Sequence, residues 1–161
     1  MLAVLHREID SRTGEIAASR PDWPCRKGCD NCCRRLAEPP RLTRAEWELL
    51  EDGLKRLSQD TRSGIEKRLR EPPGRVCPFL EAATGSCLVY DFRPVACRTY
   101  GFYMERDKGL YCKQIEDDVA AGKMDGVVWG NAAGIEARMS QLGERIRLND
   151  WFSTGCSQEK R

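Results

Sequence analysis

Four cysteines fall within nine residues: Cys25, Cys29, Cys32 and Cys33. No other feature constrains the chain as strongly. A chain rarely concentrates sulfur this way unless the thiolates hold something, and the groups that suit such a set best are zinc or an iron–sulfur cluster. On one straight helix the four sulfurs would share an arc of roughly 100°. Cys25 and Cys33 would still lie about 12 Å apart along the axis, whereas a zinc–sulfur bond is about 2.3 Å. The segment must therefore bend, with Gly28 the expected place, or divide its thiolates between metal centres. Cys32 and Cys33 project in different directions on any regular backbone. Each therefore serves a different ion more naturally than the same one, or one of them bridges two.

The further sulfurs that such a cluster needs are Cys77, Cys87, Cys97 and Cys112. Eight thiolates suffice for two four-thiolate sites or for one multinuclear centre. Cys156, alone near the C-terminus, reads as a buried apolar residue. Four thiolates around zinc leave a charge of −2. Arg26, Lys27, Arg34, Arg35 and Arg98 stand beside the candidate ligands in sequence and can offset it, Arg98 being the preferred hydrogen-bond donor to sulfur.

Bulk properties narrow the setting. The 161 residues suit a single domain, 1–161. The 27 basic and 25 acidic side chains give a net charge of +2, which offers no general case for nucleic acid or an anionic membrane. No apolar run is long enough to span a bilayer, and the first residues lack the basic-then-apolar order of a secretory signal. A cytoplasmic location is expected. Thiols are kept reduced there, so an odd count of nine cysteines points to metal rather than to disulfides. The only histidine is His6, expected to face solvent on the first helix and remote from the cluster. Histidine-based catalysis is poorly supported.

The rest of the chain reads as mainly α with a small β-hairpin, a compact metal-stabilised domain with its cysteines in loops and at helix starts. A helix over 2–18 buries Leu2, Leu5, Ile9 and Ile16. Thr43 and Glu46 form a capping box for a helix over 44–57 carrying Trp47, Leu50, Leu54 and Leu57. A helix over 60–70 is stopped by residues 71–74. Residues 77–90 suggest a hairpin turning at Gly85 and presenting Cys77 and Cys87 across its strands. Asp91 is expected to cap a short helix with Cys97 and Arg98. A helix over 112–121 closes at Gly122, and a last one over 129–147 carries Ile135, Met139, Leu142 and Ile146. Gly126, Gly130 and Gly134 recur at every fourth residue, which hints at a close helix contact. Trp23, Trp47, Trp129 and Trp151 read as core residues rather than as a binding surface.

Together these residues resemble the YkgJ-type cysteine-cluster proteins, a family of zinc- or iron-chelating domains with the signature CxxCxxCC. The resemblance is carried by Cys25, Cys29, Cys32 and Cys33, by the Cys77-Pro-Phe-Leu80 and Cys87-Leu-Val-Tyr90 runs, by the run from Arg93 to Arg98, and more loosely by Cys112. It covers about residues 20–121, with one extra residue between Cys25 and Cys29. The resemblance implies metal chelation and leaves the metal open. A related cysteine-rich region occurs in flagellin lysine methylases, which sets an iron–sulfur-dependent enzyme or electron-transfer protein as the alternative. No glycine-rich cofactor loop supports a methylase here. A thiol redox sensor at Cys29 and Cys32 lacks the surrounding strand–helix pattern. Whether the chain is an enzyme, and which protein partner it has, stay open.

Overall fold

The computed structural model describes residues 1–71, 74–105 and 112–155. Cys156 lies outside them, as does Pro72-Pro73. Helices make up about half of the chain. They are α1 (Leu2–Ser19), α2 (Arg44–Lys55), α3 (Gln59–Arg70), α4 (Val95–Thr99), α5 (Lys113–Ala120), α6 (Ala132–Met139) and α7 (Leu148–Gly155). Three two-stranded ladders tie these together. β1 (Arg41–Leu42) pairs antiparallel with β6 (Ile146–Arg147), and β2 (Leu80–Glu81) with β3 (Ser86–Cys87); β4 (Tyr103–Met104) runs parallel to β5 (Gly130–Asn131). No helix among the described residues is long and apolar enough to cross a membrane.

Local chemistry explains the helix starts. The Thr43 hydroxyl accepts the Glu46 N–H at the head of α2, and the Glu46 carboxylate accepts the Thr43 N–H, the expected capping box. Ser58 accepts the Thr61 N–H at the head of α3. Cys112 caps α5, and Gly122 follows its end with φ +71°.

Packing draws the chain into three apolar clusters. The first joins Leu42, Trp47, Leu50, Leu54, Ile65 and Leu148, among others. The second holds Ile16, Trp23, Cys112, Ile115 and Met124. The third sets Leu5 and Ile9 of α1 against Val95, Tyr103 and Met139. Trp23 and Trp47 are core residues, as expected. Trp23 stacks on Phe102 at 5.5 Å between ring centroids, and Trp47 stacks on Trp151 at 6.1 Å.

Several expectations are corrected. The single helix expected over 129–147 is instead a helix over Ala132–Met139 that passes through a 3-10 turn (Ser140–Leu142) to the strand Ile146–Arg147. At Gly143 (φ +109°) the chain turns into a conformation that glycine adopts freely, and Ile146 then pairs with Leu42. The apolar spacing of the segment serves a helix and then a strand. Gly130 meets an aromatic ring rather than another helix: a Cβ there would stand 2.4 Å from the Tyr103 ring. Asp91 sits inside a 3-10 turn (Tyr90–Phe92), and Pro94 takes the cap position of α4. His6 is buried, not solvent-facing, because α1 packs along α4 and that face includes it. Its Nε2 has no hydrogen-bond partner. Burial, with the positive Arg98 nearby, lowers its pKa to about 4, so the ring is neutral at pH 7.

Candidate metal centre

Residues 25–33 do not form a helix. Gly28 has φ +95°, and the Cys29 N–H bonds back to the Arg26 carbonyl at 2.9 Å. The expected bend at Gly28 is where the chain turns, since only glycine occupies that region without strain. A second turn follows, in which the Arg34 N–H bonds to the Asp30 carbonyl and the Arg34 guanidinium to the Asp30 carboxylate at 2.6 Å. This turn carries Cys32 and Cys33 with their sulfurs 4.0 Å apart.

The later cysteines are brought to this loop by backbone contacts. The Cys77 N–H donates to the Cys33 carbonyl at 2.7 Å, and the Leu36 N–H to the Arg75 carbonyl at 2.7 Å. The hairpin forms, but in its register Cys87 faces Leu80, not Cys77. Cys77 precedes the strand and is positioned instead by Cys33. Cys97 rides on α4, and Cys112 stands at the mouth of α5 beside Cys25.

All eight described cysteines are free thiols. Their charges interact as neighbours. Cys25 hydrogen-bonds Cys112 and feels Cys29 and Cys32. Cys33 touches Cys32 and Cys77 and feels Cys87. Cys97 feels Cys32, Cys33 and Cys87. Charge interactions thus link the early loop to the later thiols. Among the described residues no three Cys, His, Asp or Glu side chains stand in ready ligating geometry. The Cys32 and Cys33 sulfurs stand within hydrogen-bond distance of each other.

Burial and mutual proximity shift the thiols strongly. Burial pushes Cys97 up to about 12, helped by the neighbouring sulfurs. For Cys33 the hydrogen bond from Cys32 pulls down, but contact with Cys77 and burial carry it to about 12. Cys32 is raised by its bond to Cys33 and by burial, and Cys87 by burial. Cys112 moves the other way, to about 6. The nearby Cys25 thiol and the N–H groups at the start of α5 favour its charged form. Tyr100 faces the same sulfurs; burial, then the charges of Cys32, Cys112 and Cys25, raise its phenol to about 12. Crowded thiolates repel one another, so Cys32, Cys33, Cys87 and Cys97 favour their protonated forms, Cys112 being the exception.

The donor set fits a metal ion. Four sulfurs bound at about 2.3 Å to one tetrahedral zinc lie about 3.8 Å from each other. The Cys32–Cys33 separation of 4.0 Å is close to that edge, so adjacency in sequence does not keep these two apart in space. The buried Trp23 Nε1 also has no acceptor, and it packs in the cluster that holds Cys25 and Cys112. A thiolate is an acceptor, so charging those sulfurs suits an indole N–H left without a partner.

The basic residues are placed differently from expectation. Arg98 does not reach for sulfur. Its guanidinium grips both oxygens of Asp10 at 2.9 and 2.8 Å, and it bonds the carbonyls of Arg93 and Asp91, which locks α1 to the turn before α4. Arg93 is the cation whose charge reaches Cys87 and Cys97. It stacks on Tyr90 with its guanidinium carbon 3.5 Å from the ring centroid. The sequence held a signal for Arg93, which lies four residues before Cys97.

Gly101 was not singled out from sequence, and it makes room for a candidate ligand. It has φ +78°, and a Cβ there would lie 2.2 Å from the Cys25 sulfur. Gly101→Ala is expected to displace that sulfur and weaken metal retention at least tenfold. Gly122→Ala is the control, because Gly122 has φ +71° and open space around it. It carries similar backbone strain, about 1 kcal/mol, without the collision. Competition of each variant with a zinc chelator measures the difference; equal retention would show that the Cys25 position does not matter.

Comparison with known proteins adds one finding. Residues 24–121 match the family model CxxCxxCC, described as a putative zinc- or iron-chelating domain. No curated protein and no solved structure matches the chain.

Proposed function

Since the chain belongs to the CxxCxxCC family of zinc- or iron-chelating domains, we propose that it holds zinc or iron through the thiolates of Cys25, Cys29, Cys32, Cys33, Cys77, Cys87, Cys97 and Cys112. What supports this reading is the family match over residues 24–121, together with thiols from distant segments whose charges reach one another, Cys33 with Cys77 and Cys87, and Cys97 with Cys32 and Cys33. All-sulfur tetrahedral sets suit zinc or iron–sulfur centres, and closed sets of this kind are usually structural. Zinc is the metal we assign first. The free thiols support a reducing compartment, the cytosol.

The residues would act in three ways. The thiolates bind the ion and release their protons as it enters. Arg93, stacked on Tyr90, offsets part of the charge left on the sulfurs. The apolar clusters around Cys77 and Cys112 keep water from the thiolates. The bound ion would supply a positive charge that crosslinks segments distant in sequence.

Metal and acid-labile sulfide analysis of protein purified without oxygen tests the reading. Zinc or iron in whole-number ratio to the chain is expected. A folded protein with neither metal, and no capacity to take one up, would refute it.

A further inference from the structure

We infer that Arg41 and Arg147, side by side on the outer face of the β1–β6 ladder, form a binding site for a phosphate dianion. Neither residue is a candidate metal ligand, so the site stands independently of the chelating reading.

The strand register makes Arg41 and Arg147 direct cross-strand partners. Leu42 and Ile146 take the opposite face, with Leu42 fully buried in the core. Alternation along the strands therefore turns both arginines to solvent, and both are exposed. The backbone beneath them is held on either side. The Leu148 N–H donates to the Pro40 carbonyl at 3.0 Å, and the Trp151 indole N–H to the Leu42 carbonyl at 3.0 Å. Directly opposed residues have Cβ atoms about 4.5 to 5.5 Å apart. Two long side chains rooted that close can bring both guanidiniums onto one small group.

No ion pair among the described residues includes either arginine. The adjoining basic residues differ, since Arg44 pairs with Glu48 and Arg145 with Glu136. Glu38, Glu144 and Asp150 each lie three residues away in sequence from one of the two arginines, and they pair with neither. Like charges directly opposite on a ladder destabilise it. The chain carries that repulsion with no acid of its own to relieve it, the arrangement expected where a bound anion does so. Charge selects the ligand class. Two guanidiniums offer two positive charges and donors in rigid forks. A phosphate group carries about −1.5 to −2 at pH 7 and accepts from both, whereas one carboxylate answers only one.

Thermal denaturation of the full chain and of Arg41→Glu, in sodium phosphate and in sodium chloride of matched ionic strength, tests this. Phosphate should raise the wild-type melting temperature by a few degrees over chloride. Arg41→Glu exchanges the repulsion for a cross-strand ion pair, so in chloride it should melt no lower than the wild type, and it should lose the phosphate response. Amide NMR titrations with inorganic phosphate and with phosphoserine locate the ligand. The largest shifts should fall on residues 40–42 and 146–149, and Arg147→Gln should weaken binding by about tenfold or more. Equal affinity for the two probes would assign free phosphate, and tighter binding of phosphoserine a phosphate borne on a larger molecule. A phosphate response retained by Arg41→Glu, shifts spread evenly over the basic surface, or no effect beyond that of chloride would overturn the site.

Discussion

Removing the metal from loaded protein is expected to lower its melting temperature by tens of degrees, or to abolish the cooperative transition. Structural zinc contributes roughly 10 kcal/mol or more of apparent binding energy at neutral pH. That is comparable to the whole stability of a domain this size, about 5 to 15 kcal/mol. Here bound metal would crosslink cysteines that lie far apart in sequence and pack in different apolar clusters. Without it, the Cys32–Cys33 contact is a thiol–thiol hydrogen bond, which is weak. Cys29→Ser and Cys32→Ser should behave alike, each losing metal and much of the thermal stability, and Cys156→Ser should do neither. Circular dichroism melts with and without a chelator, followed by zinc re-addition, give the measurement. Superimposable melts would sink the idea. Acid should act in the same direction as the chelator. Cys33 and Cys97 hold their protons up to about 12 when no ion is present, so falling pH favours the protonated, metal-free form.

Glu46→Ala is expected to cost about 3 kcal/mol or more, a large effect for one side chain. Glu46 is 2% exposed and has three hydrogen-bond donors. One carboxylate oxygen accepts the Thr43 N–H at 2.9 Å and the Thr43 hydroxyl at 3.0 Å; the other accepts the Val95 N–H at 2.9 Å. Alanine would leave two buried N–H groups without acceptors, each costing about 1 to 3 kcal/mol. Val95 opens α4, so the loss would also loosen the helix that carries Cys97. Glu46→Gln keeps one acceptor and should cost roughly half as much. Urea denaturation of the metal-loaded protein would decide; a change below about 1 kcal/mol for alanine would mean that water takes over the role.

Glu46 also shows how far the sequence could be read. Its bond with Thr43 is local, three residues away, and the capping box was legible. Its bond to Val95 spans 49 residues and left no local trace. The same contrast runs through the fold. α1, α2 and α3 were legible because their apolar spacing lies within each helix, and α2 adds its capping box. The break at Gly143 was not, because Ile146 is drawn into a strand by Leu42, more than a hundred residues earlier. His6 looked solvent-facing because the burial of its face depends on α4. The candidate ligands were recognisable from type and spacing. Which apolar cluster each sulfur packs against was not, since that depends on residues distant in sequence. Arg98 was assigned to sulfur for its neighbour Cys97, whereas the distant Asp10 claims its guanidinium.

The strand pair β1–β6 has one more consequence. Leu148, Trp151 and Phe152 lie beyond the residues the family model recognises, yet they cover Leu42 and Trp47. A fragment ending at residue 121 would keep every proposed ligand and expose a greasy face where the tail had lain. The matched residues and the side chains that cover their apolar face are written in different stretches, so excising the recognised segment is a poor way to obtain a well-behaved protein.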